Sequence, residues 1–147
     1  MSVMGVTTQS GYDVDFVEWT ARMAELIRAG HLDDVDLEHV AAEIEDMGKS
    51  ERAAVESQLR RMLLHLVKQI QPQKAGASWR RSIIDSRSKI LIRLKHSPSL
   101  RRYLEENLQE IYRDAIKDAL LETGAKPADL PETCPYSFEQ ILEADWL

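Results

Sequence analysis

The side chains able to do chemistry are few, and most fall in segments that read as helix. His39 and Glu43 stand four residues apart, a spacing that sets two metal ligands side by side on one helical face, with His39 projecting to the solvent side. Glu38, Glu45 and Asp46 crowd the same segment, but no third ligand stands at metal spacing, and the Glu-x-x-His pairs of di-metal bundles are absent. Neither a metal nor any other cofactor is expected. His65, with Gln69 one turn on, falls beside a basic row and reads as a polar-face histidine rather than a general base. Cys134 is the one cysteine; with no neighbouring base or resolving thiol, its expected role is packing. Trp79, just after a helix cap, reads as a core or staple residue. No glycine-rich phosphate loop, nucleophile elbow or HExxH motif occurs.

The elements that would carry these residues are helices with legible starts and stops. Tyr12, Phe16, Trp19, Met23, Leu26 and Ile27 form one apolar stripe over a first helix from near Asp13 to Gly30. Asp36 caps a second helix with the stripe Leu37, Val40, Ala41, Ile44 and Met47, which Gly48 is predicted to stop. Ser50 is the predicted cap of a third, carrying Val55, Leu59, Met62, Leu63, Leu66 and Ile70 to a stop before Pro72. Ser78 opens a fourth, and Ser97-Pro98 a fifth that runs to Gly124. Ser137 with Gln140 is a capping-box pattern for a short terminal helix. The expected fold is therefore all-α: a compact helical bundle of about five helices plus a short C-terminal helix. One domain is expected over residues 11–147, with residues 1–10 a disordered leader.

Charge is strongly segregated along the chain. Residues 1–59 hold four Lys/Arg and 13 Asp/Glu; residues 60–102 hold 12 Lys/Arg and Asp85 alone; residues 103–147 hold three and 11. One reading is internal complementarity, with basic helices packed against acidic ones. The alternative is a nucleic-acid phosphate docking on Arg61, Lys68, Arg81, Lys89 and Arg93, although the helix-four cations are widely spread around its axis. Arg80 and Arg87 project onto the apolar side of their helix, where an unpaired guanidinium would be very costly, and Glu38 or Glu45 is the expected partner.

Several segments together resemble one family. YDVDFVEWT at 12–20, DLEHVAAEIEDMGKSER at 36–52, LLHLVKQIQP at 63–72, SWRRSI at 78–83, SPSLRRYLEE at 97–106 and LPETCPYSFEQIL at 130–142 are similar to the small bacterial proteins of domain-of-unknown-function family 29. The resemblance implies a compact helical fold and carries no activity. It highlights Glu43, Glu45, Gly48, Arg52, His65, Lys68, Gln71, Pro72 and Trp79, so a shared site is expected near the second and third helices and the turn into the fourth.

The net charge of −6, the single cysteine and the lack of a signal peptide or long apolar run point to an acidic cytoplasmic protein with no membrane span. Three functions are open to such a chain. The first is a non-enzymatic interaction module, as a homo-oligomer or on an unknown protein partner. A nucleic-acid-associated protein using residues 60–102 is the second. An enzyme built on Glu43, Glu45 and His65 is the least favoured.

Overall fold

The computed structural model describes residues 11–69 and 78–143. The expected leader, the Pro72 stop with Gln71 before it, and the connection from Gln73 to Ala77 lie outside them. Helices α1 (Gly11–Val14), α2 (Phe16–Arg28), α3 (Leu37–Lys68), α4 (Ser78–His96), α5 (Ser99–Thr123) and α6 (Phe138–Leu142) follow in order, with single 3₁₀ turns at Leu32–Asp34 and Pro127–Asp129. The chain is all-α, and no strand occurs among the described residues. It divides into two compact units, one up to Lys49 and one from Ser50.

Local chemistry sets most boundaries. Asp15 breaks the expected first helix in two: its extended backbone ends α1, and its carboxylate accepts the Glu18 N–H at 3.1 Å to start α2. Asp36 accepts the His39 N–H at 3.3 Å at the start of α3. Gly30 (φ 78°) and Gly124 (φ 69°) take the left-handed conformation that ends α2 and α5. Ser137 and Gln140 complete the capping box of α6.

Gly48 behaves otherwise. It is not a stop; the expected second and third helices are the single 32-residue α3. Gly48 lacks the positive φ that a C-terminal cap needs, and the residues after it, Lys49, Glu51 and Arg52, are good helix formers.

In the first unit, Trp19, Met23 and Val35 form a small core with Tyr12, Leu26 and Val40 against it. The second unit holds a larger core, with Leu59, Met62 and Leu66 of α3, Ile83 and Ile90 of α4, Leu104 and Tyr112 of α5, and Phe138 and Ile141 of α6. Each fully buried Leu, Ile or Phe contributes about 1.5–3 kcal/mol of burial free energy. The basic second half of α3 meets acidic α5 at the rim: Arg60 donates to both Asp118 oxygens at 2.7 and 2.8 Å, and Lys68 pairs with Glu122. Arg93 of α4 reaches Glu51 of α3 at 2.6 Å. These pairs are partly exposed and contribute about 0–1 kcal/mol each, so they favour one arrangement more than they stabilise it. Among the described residues, no helix is long and apolar enough to cross a membrane.

Candidate functional site

The first unit is closed by an aromatic and carboxylate clasp. Tyr12 stacks on the His39 ring at 4.0 Å between centroids, and Trp19 meets Tyr12 edge-on at 4.9 Å. The Tyr12 hydroxyl donates to Glu43 Oε2 at 3.3 Å. His39 Nδ1 lies 2.6 Å from Asp36 Oδ2, and that hydrogen bond raises the imidazole pKa above its usual value. His39 and Glu43 are thus bound to Tyr12 and Asp36, and His39 does not project freely to solvent as the helical projection suggests. Tyr12 supplies what the spacing of a single helix cannot show. The clasp pins the first turns of α3 to α1. Among the described residues, no group of three His, Cys, Asp or Glu side chains is placed to hold a metal ion.

Beside the clasp, α3 presents an apolar row that nothing among the described residues of the first unit covers. Leu37 and Ile44 are each 63% exposed and Met47 is 68% exposed. The sequence stripe Leu37, Val40, Ala41, Ile44 and Met47 therefore does not form the core of this unit; Val40 alone packs on it, partly buried. Farther along the same helix, Val55, Leu59, Met62 and Leu66 keep the same apolar register and are fully buried.

Of the other site candidates, His65 and Lys68 sit one turn apart on α3. Glu45 is exposed. The Arg52 guanidinium stands 5.7 Å over the Tyr103 ring, whose hydroxyl donates to Glu56 at 2.7 Å. His65 is half-buried; burial, with Lys68 and Arg61 nearby, holds its pKa below the ordinary value. Its Nδ1 and the Gln69 Nε2 are buried without a hydrogen-bond partner among the described residues. Lys68 is held by Glu122, and Trp79 packs against the second unit's core. Glu43 and Glu45 belong to the first unit and His65 to the second.

The anion candidates are partly spent within the fold. Lys68 pairs with Glu122, Lys89 with Asp85 at 3.0 Å and Arg93 with Glu51. Arg61 and Arg81 are exposed. Arg87 is buried at 8% exposure, as its projection requires, but its guanidinium donates to the Glu143 main-chain carbonyl at 2.8 Å. This bond stands where the ion pair with Glu38 or Glu45 is expected: the end of α6 brings a carbonyl to Arg87, and both glutamates are exposed. Arg80 is exposed, so the desolvation that would demand a buried carboxylate does not arise. A groove of about 610 Å³ between α3 and α4 is lined by Gln58, Lys89, Ile92, Arg93 and His96, with the Glu51–Arg93 pair in its wall.

The family model of the domain of unknown function DUF29 matches residues 12–147. The chain belongs to the DUF29 family. No curated protein and no solved structure matches it. Membership of DUF29 brings no catalytic residue, so the function of this DUF29 chain has to be argued from its own surface.

Proposed function

We propose that this DUF29 protein is a non-enzymatic helical interaction module of the cytoplasm, and that the uncovered face of α3 is where a partner docks. The observation that carries the reading is one apolar register on one helix, buried from Val55 to Leu66 and exposed at Leu37, Ile44 and Met47. Apolar residues exposed in a row on one helix face suit the docking of a partner. Asp36, His39 and Glu43 are committed to the clasp, and Lys68, Lys89 and Arg93 are paired, which supports docking over catalysis or phosphate binding.

The test is stability at dilution. Ile44→Asp with Met47→Asp is expected to change the unfolding free energy of the isolated chain by less than about 0.5 kcal/mol, as for other exposed positions. A loss of about 2–5 kcal/mol, the size of a core truncation, would overturn the reading by showing that the chain covers this face itself.

A further inference from the structure

Helix α4 carries a second uncovered seam of complementary charge. Arg81, Ile84, Ser88, Leu91 and Lys95 follow at alternating spacings of three and four, the heptad rhythm of a helix–helix contact. They project roughly 110° away from the buried Ile83, Ile90 and Leu94. Ile84 and Leu91 are 46% and 43% exposed. Arg81 and Lys95 are exposed and have no ion pair among the described residues. The seam of α3 runs Leu37, Ala41, Ile44 and Gly48 at spacings of four, three and four, flanked by the exposed Glu38 and Glu45. A Cβ added at Gly48 would meet nothing within 4 Å, so a neighbouring helix has room to come close there.

We infer that the α3 seam docks on the α4 seam of a second copy of this chain, with Glu38 and Glu45 facing Arg81 and Lys95; this rests on the docking reading above. Charge selects the pairing. The first unit holds 11 Asp/Glu against three Lys/Arg, whereas α4 holds six Lys/Arg against Asp85. Pairing α3 with α3 would oppose glutamates to glutamates, and α4 with α4 cations to cations; only the cross-pairing sets opposite signs together. Each chain carries one seam of each kind.

Charge reversal tests this with the full chain by light scattering across concentration. Wild type is expected to associate. Glu38→Lys/Glu45→Lys alone and Arg81→Glu/Lys95→Glu alone are each expected to weaken association at least roughly tenfold. Their equimolar mixture is expected to recover it, because both seams between unlike variants are again complementary. Melting by circular dichroism at dilution checks that each variant is folded. If both variants associate as wild type does, or the mixture fails to recover, the pairing is wrong although docking elsewhere on α3 stands. A monomeric wild type whose mobility is shifted by RNA or DNA, an effect lost in Arg81→Glu/Lys95→Glu, would also overturn it and give α4 a phosphate partner. Destabilisation of the dilute chain by Ile44→Asp would instead remove the docking reading itself.

Discussion

His39 and His65 occupy one helix in opposite surroundings. The Asp36 hydrogen bond raises the folded pKa of His39, so its stabilisation is full below the unfolded value of about 6.5 and is lost as pH rises through the folded value. Burial lowers the folded pKa of His65, so its stabilisation is full above about 6.5 and is lost as pH falls below it. Denaturant unfolding between pH 5 and 8 should separate them. His65→Gln is expected to shrink the loss on the acid side, and His39→Asn the loss on the alkaline side. A steeper acid loss in His65→Gln would contradict this assignment. Neither environment was legible from spacing. Tyr12, 27 residues before His39, is what turns a solvent-side histidine into part of a clasp. Arg87 shows the converse: its projection toward the core was readable, but its partner is a main-chain carbonyl, and a carbonyl leaves no mark in a residue pattern.

Helix boundaries were legible where one residue's chemistry decides them. Asp36, Ser137 and Gly124 act where the sequence places them, since a cap or a left-handed turn is a local event. Gly48 was misread because a glycine followed by Lys49-Ser50 looks like a stop and a fresh cap, whereas the stretch from Gly48 to Ala53 continues as helix. Gly48→Ala is therefore expected to stabilise the chain by about 1 kcal/mol, a helix-interior gain with no neighbour to displace. Destabilisation of that size would mean that Gly48 adopts a positive φ. At the other end, Arg87→Met removes the bond that holds Glu143 just after α6. Faster amide exchange over 138–143, with α5 unchanged, is the expected result; unchanged exchange over α6 would show that apolar packing of Phe138 and Ile141 suffices.

The charge pattern and the apolar pattern acquire different meanings over the whole chain. Acidic α5 and the basic second half of α3 answer each other within the second unit through Arg60–Asp118 and Lys68–Glu122, so part of the segregation is architecture. The first unit is acidic throughout and leaves a row of apolar residues uncovered, which is what an interaction module requires. Periodicity marked Leu37, Ile44 and Met47 as a buried face; a stripe records that a face wants covering and not which molecule covers it. The most direct test is thiol labelling of Ile44→Cys in a Cys134→Ala background, read at dilution and again at high concentration. Labelling at the rate of an unstructured thiol at dilution, with protection appearing as copies or partner are added, is the expected result. Protection already complete at dilution would contradict the account, because the chain would then be covering the face that is assigned here to a partner.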